Sequence, residues 1–116
     1  TSVAFPMDLL TKVQKAAAIR GPTYIHCHSP CPTGWGFDTA KMIEVARVAV
    51  KTGAVVLHEI EDGVRTINRK VRRRVPIEEY LKYQARFRHV LDDAEVIAQI
   101  QAAVDEAFEA TMKSAQ

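Results

Sequence analysis

The run Ser29-Pro30-Cys31-Pro32-Thr33-Gly34-Trp35-Gly36-Phe37 restricts this chain more than any other segment. Prolines on both sides of Cys31 fix φ and remove backbone donors, so neither a central strand nor a helix interior runs through the cysteine. The thiol is expected on a stiffened turn, between regular elements that end before it and begin after it.

On the amino-terminal side, Leu9, Leu10, Val13 and Ala17 recur at the spacing of an amphipathic helix that opens near Pro6 and is ended by Gly21-Pro22. Residues 23 to 28, Thr-Tyr-Ile-His-Cys-His, are short, aromatic and β-branched, and read as a buried strand. Beyond the turn, Asp38 or Thr39 caps a helix to about Lys51, whose Met42, Ile43, Val45, Ala46, Val48, Ala49 and Val50 make it apolar over most of its surface. Thr52-Gly53 stops it. Residues 54 to 60 read as a second strand, and Asp62-Gly63 as a hairpin turn into a third at residues 64 to 68.

A helix between two strands predicts a β-α-β core, here with an added antiparallel edge strand. The fold class is therefore α/β, as one domain over residues 1–116. A basic linker, about 69–75, leads to carboxy-terminal helices. One opens at Pro76 and covers residues 77 to about 89, and a last one begins at Asp92 or Asp93. In the last, Asp92-x-x-Glu95 resembles a capping box, and Val96, Ile97, Ile100, Val104, Ala107 and Phe108 form a packing stripe.

Composition excludes several classes. With 47% hydrophobic and 26% charged residues the chain is that of an ordinary globular protein, and no apolar run approaches the ~20 residues of a membrane span. A net charge of +2 is too mild to imply nucleic acid. Nothing near Thr1 resembles a secretory signal, and the absence of an initiator Met suggests a trimmed or excerpted chain. Two cysteines four positions apart make a poor disulfide framework, so a cytoplasmic protein is expected.

From the residues alone, the Cys31 thiolate can ligate iron or zinc, act as a nucleophile, or be inert. Here a resemblance enters. Gly21-Pro22-x-Tyr24-Ile25-His26 followed by Ser29-Pro30-Cys31-Pro32-Thr33-Gly34-Trp35 resembles the hallmark of the β, thiamine-diphosphate-binding subunits of the 2-oxoacid:ferredoxin oxidoreductases of the pyruvate synthase type. The likeness continues through residues 41 to 53, through Glu59-Ile60-Glu61-Asp62-Gly63, and through Pro76-Ile77-Glu78-Glu79-Tyr80-Leu81 to Arg86-Phe87-Arg88-His89.

The resemblance implies half of a thiamine-diphosphate-binding domain. It also implies coenzyme A-dependent, reversible oxidative decarboxylation of pyruvate, with electrons leaving through a [4Fe–4S] cluster to ferredoxin. Substrates such as 2-oxoisovalerate, aryl-glyoxylates or oxalate stay open, as does a non-catalytic assembly or ferredoxin-docking module. Cys31 is implied as one cluster ligand, and the chain supplies no more than that. The other cluster cysteines and the groups that hold Mg2+ and diphosphate lie in a portion of the family absent from this sequence. The implied partners are the remainder of the β subunit, the α, γ and δ subunits or domains, ferredoxin, pyruvate and coenzyme A. No catalytic residue is assigned, and the chain alone is expected to be inactive.

Other features have plainer readings. Cys27 stands where the family commonly has an aliphatic residue, and alternation along a strand turns it into the apolar layer. His26 and His28 share the opposite face. With Cys31 they offer three zinc ligands, yet one strand end rarely arranges three tetrahedrally, and hydrogen-bonded strand histidines near a subunit interface are expected instead. Trp35 reads as a loop anchor rather than a cofactor stacker.

The run Arg69, Lys70, Arg72, Arg73, Arg74 reads as a solvated linker, with a coenzyme A phosphate or an acidic ferredoxin as its functional alternatives. Glu78, Glu79, Asp92, Asp93 and Glu95 sit in helix first turns, where the macrodipole favours negative charge. Gly34 and Gly36 are expected to let backbone approach the Cys31 sulfur. Arg86 and Arg88 read as surface or interface residues of a helix end. The apolar helix at 41 to 51 is expected to leave exposed hydrophobic surface in isolation, so the bare chain should self-associate; a monodisperse monomer in light scattering contradicts this.

Overall fold

The computed structural model describes residues 1–115. Helix α1, Pro6–Ala18, begins with proline at its first position, where the missing N–H costs nothing, and ends at the extended Ile19. Its apolar stripe faces outward: Met7 is 70% exposed, and Leu10 and Val13 are also exposed. The inward side chain is Lys12, buried and paired to Asp8 at 2.9 Å, with the Thr1 hydroxyl donating to the same carboxylate oxygen at 2.5 Å. The helix stands where the periodicity places it, with Leu10 and Val13 of its apolar stripe at the surface and Leu9 partly covered.

Residues 23 to 28 do not form the expected buried strand. Their only ladder partner among the described residues is the chain's own start, through one parallel bridge between Ser2 and His28. The Val3 N–H donates to the His28 carbonyl at 3.1 Å, and the His28 N–H donates to the Thr1 carbonyl at 2.9 Å. Lacking a longer neighbour, Tyr24 stays 86% exposed. Strand propensity at these residues has no sheet to join.

Cys31 caps the one-turn helix α2, Pro32–Trp35, which ends at Gly36 in the left-handed region. A 3-10 turn, Thr39–Lys41, is capped by Asp38, whose carboxylate accepts from the Ala40 N–H at 2.9 Å, and it runs into helix α3, Met42–Thr52. Helix α3 buries Val45, Ala46, Ala49 and Val50 and stops at Gly53, with φ +86. Fully burying a side chain such as Val45 or Val50 contributes roughly 1.5–3 kcal/mol. Only Ile43 of this helix is a large exposed hydrophobic residue. The exposed apolar surface lies mainly on α1 and residues 19 to 25 rather than on α3.

Strands β1, His58–Glu61, and β2, Val64–Ile67, form an antiparallel hairpin around Asp62-Gly63, both at positive φ. The hairpin turn stands as expected, but regular pairing starts only at His58, so residues 54 to 57 are not strand. The described residues therefore hold mixed helix and strand with a two-stranded sheet, not a β-α-β crossover.

The helix expected over residues 77 to 89 is broken. Helix α4, Glu78–Leu81, is followed by a 3-10 segment, Ala85–Val90. The cause is Gln84, 1% exposed, whose side-chain amide donates to the Tyr80 carbonyl at 3.0 Å. That carbonyl is the one a continuing α-helix would offer to the residue 84 N–H. The next N–H, from Ala85, goes to the Gly36 carbonyl at 3.1 Å.

Helix α5, Ala94–Lys113, is capped by Asp93, which accepts from the Glu95 and Val96 N–H groups at 3.1 Å. The capping acid is Asp93, so the Asp92-x-x-Glu95 box is not the device used. Linker residues Lys70, Arg72 and Arg73 are exposed. Its ends are pinned, Arg69 over the Phe5 ring and Arg74 over Phe108, with Arg74 also 2.7 Å from Asp105.

The core joins α3 to α4 through Val45, Ala49, Ile77, Tyr80 and Leu81, flanked by Trp35, Phe37 and Ile97 among others. Outside that core, Gly36 makes a tight contact, where φ is +73 and a Cβ would stand 2.7 Å from the Ala85 Cβ. Gly63 shares the strained φ but has open space around it. Gly36→Ala is therefore expected to lose about 1–3 kcal/mol in denaturant unfolding, and more than Gly63→Ala. Equal losses would mean that the contact with Ala85 is immaterial.

Candidate functional site

The Pro-Cys-Pro turn places the Cys31 sulfur at the surface, as the cap of α2. The Gly34 N–H donates to Sγ at 3.3 Å, and a Cβ on Gly34 would stand 3.3 Å from that sulfur. Glycine at 34 thus permits the close approach expected of it. Gly36 does not take part, since its free space is taken by Ala85.

The turn is wedged by aromatic side chains. Trp35 lies 6.1 Å from the His28 ring, 6.2 Å from Phe37, and edge-on to Tyr80 at 6.5 Å between centroids. It is a loop anchor. Its other neighbour is the Arg86 guanidinium, 4.1 Å from the ring centroid. Arg86 is exposed, as expected of it, and in addition stacks on the turn's tryptophan. Tyr80, Gln84 and Arg86 lie about fifty residues from the motif, and no local periodicity points to them.

His28 is half-buried, with Nε2 3.3 Å from the Tyr80 hydroxyl. Burial lowers its pKa from the ordinary imidazole range, and neighbouring His26 acts the same way. Burial likewise raises that of the Tyr80 phenol. The neutral forms of both groups are favoured between Trp35 and α4.

His26 is exposed and sits 6.4 Å from the Tyr24 ring. Among the described residues no three His, Cys, Asp or Glu side chains gather as a metal site, so the structure does not assemble His26, His28 and Cys31 into the zinc reading. Cys27 is partly exposed rather than buried in an apolar layer, because the strand it was assigned to has no sheet behind it.

A separate open groove of about 820 Å³ runs between α1, residues 22 to 28 and residues 54 to 62. Lys12, Ile19, Tyr24, His58 and Glu59 help to line it, and Cys31 does not. Lys15 and Glu59 form an ion pair at its wall. No helix among the described residues is long and apolar enough to cross a membrane.

The sequence is 50% identical over 108 residues to pyruvate synthase subunit PorB of Methanosarcina barkeri, covering 90% of this chain and 36% of that protein. It is 49% identical over 104 residues to the same subunit of Methanothermobacter marburgensis, covering 90% and 35%. Ketoisovalerate oxidoreductase subunit VorB of Pyrococcus abyssi is 46% identical over 99 residues, covering 83% and 32%. The chain spans about a third of the length of these curated relatives. No family model matches it.

The His28 environment sets a pH dependence. An unfolded histidine titrates near 6.5, whereas the folded value is lower, so the unfolded chain binds more protons as the medium is acidified. The contribution is complete above about pH 6.5 and is lost as pH falls through the folded value. The thermal midpoint is expected to drop between about pH 7 and pH 5, and less steeply in His28→Gln. Identical slopes for the two proteins would remove His28 as the source.

Proposed function

We propose, since the chain belongs to the family of the pyruvate synthase PorB and ketoisovalerate oxidoreductase VorB subunits, that it is the carboxy-terminal part of the thiamine-diphosphate-binding subunit of a 2-oxoacid:ferredoxin oxidoreductase. Residues 1–116 form a single unit of it, half of the cofactor-binding domain. The parent enzyme converts pyruvate and coenzyme A reversibly to acetyl-coenzyme A and carbon dioxide, in the cytoplasm, and passes electrons to ferredoxin. Thiamine diphosphate, Mg2+ and a [4Fe–4S] cluster are its cofactors.

The observation that carries this reading is the Cys31 sulfur, exposed on a proline-flanked turn with the Gly34 amide aimed at it. Those features fit one thiolate ligand of an iron–sulfur centre: the sulfur is open on its outer side and receives an N–H from its own turn. When bound, such a cluster supplies one-electron transfer. Cys31 holds one corner, and the Gly34 hydrogen bond stabilises negative charge on the sulfur. The prolines and Trp35 keep the turn from rearranging.

The exposed Met7, Leu10, Val13 and Tyr24, together with the groove beside α1, are the surfaces this reading assigns to the rest of the subunit. The α, γ and δ subunits or domains complete the assembly. A branched 2-oxoacid such as 2-oxoisovalerate is a second substrate reading, favoured by the 46% identity to a VorB subunit. Relative kcat/KM on pyruvate and 2-oxoisovalerate in the complete enzyme separates the two.

Replacing Cys31 by Ser in the full subunit, within its complex, is expected to remove about four iron atoms and their sulfide and to stop ferredoxin reduction. Iron and sulfide analysis checks this. Undiminished iron with normal electron transfer would overturn the assignment.

A further inference from the structure

We infer that Arg86 is a positioning residue for the Cys31 thiolate, acting through Trp35; this deepens the reading of Cys31 as a cluster ligand and rests on it. Helix α2 has four residues, too few to hold its own geometry by backbone bonds. Beside the His28, Phe37 and Tyr80 rings around Trp35, part of what secures it comes from residues 84 to 87. The Arg86 guanidinium lies 4.1 Å from the Trp35 centroid and 4.8 Å from that of Phe87.

The guanidinium is also held in orientation. Arg86 Nε donates to Gln84 Oε1 at 2.8 Å, and Gln84 is itself buried and tied to the Tyr80 carbonyl. At the other side, the Trp35 N–H donates to the Cys31 carbonyl at 2.9 Å, in the same turn whose Gly34 N–H meets Sγ. The Ala85 N–H on the Gly36 carbonyl closes the frame from below. A buried amide thus aims a planar cation at the tryptophan, and the tryptophan fixes the turn that carries the sulfur. Lysine cannot reproduce this, because its ammonium lacks the plane that stacks and the Nε donor that Gln84 receives.

The test uses the full subunit in its assembled complex with Arg86→Lys and Arg86→Ala. Hydrogen exchange at the Gly34 amide and the cluster's midpoint potential are measured beside iron content. Both variants are expected to assemble with unchanged iron, to exchange the Gly34 amide at least about tenfold faster, and to shift the potential downward as the sulfur loses its donor. Wild-type exchange and potential in Arg86→Lys would overturn the inference. Failure of both variants to assemble would also overturn it, by giving Arg86 a structural role alone. The cluster reading fails separately: if Cys31→Ser kept its iron, the Gly34 exchange in the Arg86 variants would still report the clamp.

Discussion

Trp35 is the contact on which the described structure turns. It joins a turn that cannot hold itself, residues 29 to 37, to the segment around α4 that supplies much of the core. Tyr80 meets its edge, His28 and Phe37 flank it, and Arg86 covers its face. Removing the ring would leave Tyr80 and His28 facing space and the guanidinium without a partner. Trp35 is itself only partly buried, so its weight lies in these contacts rather than in depth of burial.

From this knot the molecule is asymmetric. On one side α3 and α4 bury an apolar set, with Ile97, Ile100 and Val104 of α5 partly buried against it. On the other, α1 turns Met7, Leu10 and Val13 outward and keeps Lys12 inside through its bond to Asp8. The hairpin is tied to the end of α5 by the Arg65 guanidinium on the Ser114 hydroxyl at 2.5 Å, a contact between elements far apart in sequence. The sulfur lies beside the well-packed half, while the open groove belongs to the other.

The sequence made some of this legible because some decisions are local. Proline at residue 6, Gly53 after α3 and Asp62-Gly63 in the hairpin act through φ within their own turns, and those boundaries were readable. The Pro-Cys-Pro turn was readable for the same reason, and with it Cys31. Residues 23 to 28 and 77 to 89 were misread because their state is decided by partners. The first lacks a neighbouring strand, and the second is interrupted by a buried glutamine and by the amide that Ala85 gives to Gly36. Periodicity also cannot tell which stripe of α1 faces inward once a lysine and an aspartate satisfy each other. The exposure of Arg86 is legible in its stretch, but its stacking on Trp35 is not, because nothing there names a partner about fifty residues away.

The central claim is that the sulfur of Cys31 bonds to iron. Selenocysteine placed at position 31 of the complete subunit, followed by selenium-edge X-ray absorption on the assembled enzyme, tests it at the atom itself. The expected result is iron as a directly bonded neighbour of selenium. Only carbon, nitrogen or oxygen neighbours would contradict the account.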